Sequence, residues 1–134
     1  MRSKVFGVCI VLALAGCDGP SAPVAGKGPR EVASNGGGYT VVFRPSPDPI
    51  PMNQVFDIGF TVRSRGAAVA SVEVDARMPA HGHGMNRVPK IVKQADGSFK
   101  AEGLLFHMPG HWELYFDLTQ GGRTERAQVD VDLK

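Results

Sequence analysis

Two short stretches contain every histidine of the chain, MPAHGHGM over residues 78–85 and HMPGHW over residues 107–112. They also contain three of the five methionines. Imidazole nitrogen and thioether sulfur together favour copper, because the soft thioether selects Cu(I) and imidazole accepts either copper state. Thioethers have no proton to lose, so such a site would also work at neutral pH in an oxidising compartment. The pattern therefore indicates a copper site, with Cu(I) as the favoured ion.

The candidate metal ligands are the histidines and methionines of these two stretches: His81, His83, Met85, His107, Met108, His111 and Met78. Gly82 and Gly84 would let the first two histidines turn towards one ion at little steric cost. Two of these candidates could have a purely structural role instead. Met78 would face the core from its predicted strand, and His111 would be an ordinary surface residue on the outward face of its strand. Zinc is a weaker match, since it prefers cysteine, histidine and carboxylate ligands.

The N-terminus has the features of a secretory signal. A basic start precedes an apolar run over residues 5–15, which is too short to span a membrane. Cys17 directly follows Leu-Ala-Gly, an arrangement that resembles the bacterial lipobox. The resemblance implies lipid on Cys17, whereas the alternative is an ordinary signal peptide with a chance cysteine. We therefore predict a lipoprotein signal peptide over residues 1–16.

A lipid on Cys17 would anchor the protein to a membrane of the cell envelope, with the domain facing the periplasm or the cell exterior. Asp18 resembles the inner-membrane retention signal of enteric Gram-negative bacteria, which favours the inner membrane. Cys9 would leave with the signal peptide, so the mature domain would have neither a free thiol nor a disulfide. Its stability would then depend on its core alone.

Composition divides the mature chain into two parts. Residues 17–38 are rich in Gly, Pro, Ser and Ala without periodicity, which predicts a flexible, lipid-anchored linker. Residues 39–134 are enough for one domain with a modest core. Without Arg2 and Lys4 the chain has 13 basic and 13 acidic residues, and it has no basic patch with interleaved aromatics. We therefore expect no nucleic-acid partner.

From residue 39 onward, apolar and polar residues alternate between turn signals, which predicts β-strands. In the clearest case, Trp112, Leu114 and Phe116 would face inward while Glu113 and Tyr115 face outward. The predicted strands cover residues 39–44, 55–63, 69–78, 88–94, 98–103 and 111–119, and a last one that follows Gly121-Gly122. Seven short amphipathic strands with no helical period predict an all-β fold, a seven-stranded antiparallel β-sandwich of immunoglobulin-like type.

Strand parity predicts where the two histidine stretches lie. If successive strands run alternately up and down, the connections after the first, third and fifth strands meet at one end of the sandwich. Those connections are residues 45–54, 79–87 and 104–110. The histidine stretches should therefore converge, at the end opposite to the point where the linker enters.

The two motifs also resemble those of a known family. MP-x-HGHGM at residues 78–85 and F-x-MPG-x-WEL at residues 106–114, within a small secreted β-domain, resemble YtkA-like domains, relatives of FixH-type proteins. The resemblance covers about residues 39–133. It implies an immunoglobulin-like fold, an extracytoplasmic setting, and a link with copper handling or with assembly of copper-containing oxidases. FixH-type proteins usually carry a membrane helix, whereas lipid would hold this chain.

These observations predict a membrane-anchored copper-binding protein, a Cu(I) carrier or metallochaperone with a copper-donating or copper-receiving envelope protein as its partner. The alternative is a metal-free protein-binding or assembly module, in which the methionines supply adaptable apolar surface. We do not expect an enzyme. A Cu/Zn superoxide dismutase would need more histidines and a bridging one, and no Ser-His-Asp or paired-carboxylate motif stands out.

Overall fold

A computed structural model of the chain describes residues 27–134. The predicted signal peptide, Cys17 and the first part of the predicted linker lie outside the described residues. Within them the chain forms nine β-strands and one short 3₁₀ helix, Pro79–His81. The strands are β1 (Arg30–Ala33), β2 (Tyr39–Ser46), β3 (Val55–Ser64), β4 (Ser71–Met78), β5 (His83–Gly84), β6 (Lys90–Lys93), β7 (Phe99–Leu105), β8 (Gly110–Gln120) and β9 (Arg123–Leu133). No helix of residues 27–134 has the length and apolar character needed to cross a membrane.

The strands form two antiparallel sheets that pack as a sandwich. One sheet has the order β1-β2-β3-β7-β6 and the other the order β5-β4-β8-β9. The predicted all-β antiparallel sandwich is therefore confirmed, and each of the seven predicted strands is present within a few residues of its expected bounds. The described count is nine because the structure adds β1 and β5.

The two additional strands have little apolar content of their own. β1 lies inside residues 17–38, which the composition predicts to be linker, and it pairs with β2 from Arg30↔Phe43 to Ala33↔Thr40. Only the side chains of Arg30 and Val32 turn inward, so its alternation is too short to detect in the sequence. β5 has two residues and pairs Met78 with His83 inside the glycine-rich loop.

Alternating side chains of both sheets form the core, as predicted for the strand that contains Trp112. Trp112, Leu114 and Phe116 are fully buried. The indole of Trp112 stacks on the ring of Phe106, with ring centres 4.7 Å apart and planes 2° apart. Because Phe106 follows β7 and Trp112 lies on β8, this stack ties the two sheets together at one end of the sandwich.

The loops that follow β2, β4 and β7 meet at that same end, which we call the histidine pole (residues 47–54, 79–87 and 106–109). The amide of Asn53 donates a hydrogen bond of 2.7 Å to the carbonyl of Phe106. The imidazoles of His83 and His107 are in contact, with ring centres 5.3 Å apart. The convergence predicted from strand parity is confirmed. The predicted entry of the linker at the opposite end is wrong, because the additional strand β1 runs antiparallel to β2 and begins beside Asp48, in the loop that follows β2.

Candidate metal centre

A tight turn after β4 positions the first two histidines. The chain forms the 3₁₀ helix Pro79–His81 and then adopts a left-handed conformation at Gly82, with φ 66°. The amide of Gly82 donates to the carbonyl of Met78 at 3.0 Å, which closes the turn. A left-handed backbone favours glycine because a side chain would clash there. The turn lets His83 return along β4 and brings its ring to 5.7 Å from that of His81.

His107 comes from the other sheet and completes a row of three imidazoles. Its ring stacks against that of His83 with an interplanar angle of 29°. We call His81, His83 and His107 the histidine row. Trp112 lies against two of its members, with ring centres 6.2 Å from His83 and 5.5 Å from His107. The indole N–H also donates to the carbonyl of Met108 at 3.0 Å. Trp112 therefore supports the row from the core side and fixes the loop that carries His107.

The three imidazoles differ in exposure and in hydrogen bonding. His81 is exposed, whereas His83 and His107 are half-buried. Nδ1 of His83 lies 3.1 Å from the carbonyl of Gly84, a contact in which Nδ1–H would donate and Nε2 would keep its lone pair. Nδ1 of His107 is buried and has no hydrogen-bond partner among the described residues. A buried polar atom without a partner costs about 1–3 kcal/mol, and a bound cation would remove that cost.

The ring spacing of the histidine row fits a shared metal ion, but the ring orientations do not. With nitrogen–metal distances of about 2.0 Å, two imidazoles on one ion have ring centres about 5–6 Å apart. The contacts of His83 with His81 and His107, at 5.7 and 5.3 Å, agree with that spacing. Among the described residues, the group whose three ligand atoms already lie within 4.8 Å of one another is His111, Glu113 and Asp130, on β8 and β9. Binding at the row would therefore require the rings to rotate.

The three methionines of the two motifs are partly or fully buried. Met85 and Met108 are partly buried and pack against the core. The amide of Met85 donates to the carbonyl of Ala76 at 3.1 Å, which holds this residue beside β4. Met78 is 1% exposed, and its Cε lies 2.9 Å from the point that a Cβ at Gly110 would occupy. Met78 therefore fills the space that Gly110 leaves, whereas Met85 and Met108 are the motif thioethers that keep some exposure to solvent.

His111 has a different environment from the other histidines. It is exposed on the outer face of β8, where its Nδ1 lies 2.9 Å from Oδ1 of Asp132 and its Nε2 lies 3.6 Å from Oδ1 of Asp130. The hydrogen bond to Asp132 raises the pKa of His111, and the charges of Asp130, Asp132 and Glu113 add to that effect. The ring contacts of the described residues join His81, His83, His107 and Trp112, but not His111.

Fold and site together define a small β-sandwich domain with a histidine row at one pole, and comparison with known proteins identifies its family. A family model described as YtkA-like matches residues 33–117, which include both histidine motifs. The chain belongs to the YtkA-like family, and this membership suggests an extracytoplasmic domain.

A solved structure has the same fold. The crystal structure of a DUF4426 family protein from Pseudomonas aeruginosa PAO1 matches with a TM-score of 0.54 and 10% sequence identity, over 79% of this chain and 94% of that chain. At this identity the match shows the fold alone. No curated protein sequence matches the chain.

Proposed function

We propose that this protein binds Cu(I) at the histidine pole and carries it within the cell envelope, receiving it from or delivering it to a partner protein. The observation that supports this most is the contact of three imidazoles from both sheets, one of which has a buried nitrogen without a hydrogen-bond partner. The proposed ligands are His81, His83 and His107, with Met85 and Met108 as thioethers from the same loops.

The donor set favours copper over other ions. Neutral imidazole binds copper in either state, and thioether sulfur selects Cu(I) over harder ions such as Mg²⁺ or Ca²⁺. Among the described residues, the carboxylates paired with a histidine ring are those of Asp130 and Asp132, and both contact His111 on the outer face of the sheet. The row therefore offers uncharged nitrogen and sulfur ligands, a set that suits Cu(I).

The exposure of the row suits transfer of the ion better than its permanent retention. His81 is exposed at the pole and lies next to Gly82, where the backbone is left-handed. A cleft of about 500 Å³ lies beside His83 and is lined by Met78, Pro79 and Tyr115 among others. A partner's ligand could therefore approach the ion from outside while the core-side support from Trp112 stays in place.

The predicted anchor belongs to the same proposal. A lipid on Cys17 and the segment that follows it would hold the domain at a membrane of the cell envelope. β1 runs antiparallel to β2, so the described chain enters the sandwich at the histidine pole, where the amide of Gly28 donates to the carboxylate of Asp48. The proposed copper site would then lie at the end of the domain nearest to the tether, where partner proteins held at the same membrane could reach it.

A Cu(I) titration against a competing chelator tests the proposal. The chain has one tryptophan, so quenching of Trp112 fluorescence reports binding at the row. We expect one Cu(I) per protein, and a loss of affinity of orders of magnitude in the His81→Ala/His83→Ala variant with little change in apo-protein melting temperature. His111→Ala is the matched control and should bind Cu(I) like the wild type. A wild-type protein that loses Cu(I) to a modest chelator at neutral pH would overturn the proposal.

A metal-free binding module is the second candidate function, and exposed apolar side chains at the pole favour it. Met52 is 45% exposed and Val55, at the start of β3, is 46% exposed. Isolated exposed apolar residues are common on proteins, but these two lie beside the loop that carries His107. If copper does not bind, Met52→Ser should weaken capture of the partner protein, whereas a copper site alone predicts no effect.

A further inference from the structure

The last two strands bring four polar side chains together on the outer face of the sheet β5-β4-β8-β9. His111 and Glu113 lie two residues apart on β8, and Asp130 and Asp132 lie two residues apart on β9, so each pair shares a face. The register pairs His111 with Asp132 and Glu113 with Asp130. Directly opposite residues have Cβ atoms about 4.5–5.5 Å apart. The backbone register therefore assembles the group.

Asp132 orients the imidazole of His111. Its Oδ1 lies 2.9 Å from Nδ1, a hydrogen bond that places the proton on Nδ1 when the ring is neutral. Nε2 then has a free lone pair and lies 3.6 Å from Oδ1 of Asp130, which is too long for a hydrogen bond. A carboxylate on the second ring nitrogen is the usual support of a metal-binding histidine. In this group the supporting carboxylate and the free nitrogen are both in position.

Glu113 is the third potential ligand, and Arg77 orients it. The guanidinium Nε of Arg77 lies 2.6 Å from Oε2 of Glu113, whose side chain is 17% exposed. Oε1 has no hydrogen-bond partner among residues 27–134. The ligand atoms of His111, Glu113 and Asp130 all lie within 4.8 Å of one another. Two ligands of a tetrahedral zinc ion lie about 3.4 Å apart, so the 3.6 Å between Nε2 and Asp130 needs almost no adjustment.

We propose that His111, Glu113 and Asp130 form a second metal site that takes a borderline divalent cation such as Zn²⁺, with Asp132 as a positioning residue. One imidazole and two carboxylates are a donor set that zinc accepts, and water would complete the four-coordinate shell. The site has no thioether, so it differs in chemistry from the histidine row. The proposal does not depend on copper binding at the pole.

The competing explanation is that these residues form only a surface ion pair between β8 and β9. Exposed pairs of this kind contribute about 0–1 kcal/mol and are common. Two features favour a cation site. Asp130 has no side-chain hydrogen bond in the described part of the chain, and three carboxylates surround His111 while Arg77 contacts one of them.

Zinc titration of the purified protein in the His81→Ala/His83→Ala background tests this site without competition from the pole. We expect one Zn²⁺ per protein, measured with a chromophoric zinc indicator as competitor. His111→Ala and Asp130→Asn should each weaken zinc binding tenfold or more. Glu73→Gln, on the outer face of β4, is the control that should leave it unchanged. Circular dichroism and the melting temperature establish that each variant is folded.

The role of Asp132 needs its own readout. Removal of a supporting carboxylate commonly costs about 10–100-fold in metal affinity, and we expect that loss for Asp132→Asn. Zinc should shift the ¹⁵N resonance of His111 Nε2 and not that of Nδ1 in the parent protein. Retention of zinc by the His111→Ala variant, coordination through Nδ1, or no zinc binding by the parent would each overturn the proposal. Cu(I) binding by the protein with an intact pole is measured separately, so failure of one site is distinguishable from failure of the other.

Discussion

The indole of Trp112 lies 5.5 Å from the imidazole of His107, with the ring planes 77° apart, and donates its N–H to the carbonyl of Met108. The same indole stacks on Phe106 in the core. A single buried side chain therefore links the packing between the sheets to the loop that carries one of the proposed copper ligands. Changes at Trp112 should affect stability and metal binding separately, according to which contact is lost.

Trp112→Ala should destabilise the fold by about 3–5 kcal/mol, as for buried aromatic residues in general. Trp112→Phe should cost less, because it keeps most of the packing on Phe106, but it leaves the Met108 carbonyl without its donor. We therefore expect Trp112→Phe to lower Cu(I) affinity more than its modest stability loss implies. Chemical denaturation and chelator competition measure the two effects. A near-normal melting temperature for Trp112→Ala would contradict the packing described here.

His107→Phe should separate stability from copper binding in the opposite way. The buried Nδ1 of His107 has no hydrogen-bond partner among the described residues, so phenylalanine of similar shape removes a desolvation cost of about 1–3 kcal/mol. We expect the apo-protein to be as stable as the wild type or more so, with Cu(I) affinity at least tenfold lower. Loss of stability together with unchanged copper binding would mean that His107 is a packing residue and not a ligand.

The lipoprotein prediction is testable in cells. Replacement of Cys17 by serine removes the thiol that would carry the lipid, because Cys17 follows Leu-Ala-Gly. We expect the variant to move from the membrane fraction to the soluble envelope fraction, and Cys9→Ser to leave the distribution unchanged. If the Cys17→Ser protein stays in the membrane fraction, the anchor prediction is wrong.

The fold and the convergence of the motifs could be predicted because both depend on local patterns. Alternation along residues 111–119 gives the inward face that buries Trp112, and strand parity alone brings His83 and His107 to one pole. β1 escaped prediction because Val32 is its one large apolar residue, and its place in the sheet depends on pairing with β2 and on the ion pair of Arg30 with Asp48. Such tertiary contacts leave no periodic signal in the sequence.

The environment of His111 depends on the register between β8 and β9 and not on local alternation alone. Alternation along the strand indicates that His111 faces outward, but it does not indicate which residues of the next strand lie opposite it. A hairpin that turns on Gly121 and Gly122 pairs residues at equal distances from the turn, which sets His111 opposite Asp132. That register was the available signal. The unpaired nitrogen of His107, by contrast, depends on side-chain packing and has no signature in the sequence.

Gly110→Ala should destabilise the pole for two reasons. The backbone at Gly110 has φ 124°, a conformation that side chains rarely adopt, and a Cβ there would lie 2.9 Å from Cε of Met78. We expect a loss of about 1–3 kcal/mol. Gly82→Ala is the control for backbone strain alone, since it has φ 66° and no atom within 4 Å of the added Cβ. Met78→Val in the Gly110→Ala background should recover the steric part only, which a double-mutant cycle measures.

Asp48 should make the stability of the sandwich depend on acid pH. Its carboxylate accepts a hydrogen bond of 2.7 Å from the amide of Gly28 and another of 2.7 Å from the guanidinium of Arg30, and these contacts lower the pKa of Asp48 below its usual value of 3.8. Because the pKa is lower in the folded state, the stabilisation is fully present above the unfolded pKa. It is lost as the pH falls through 3.8 towards the folded pKa. Asp48→Asn should therefore melt a few degrees below the wild type at neutral pH, and the difference should shrink at acid pH. Melting temperatures across this pH range measure the effect, with Glu73→Gln as the control. A difference between wild type and variant that stays constant with pH would mean that the charge of Asp48 does not stabilise the fold.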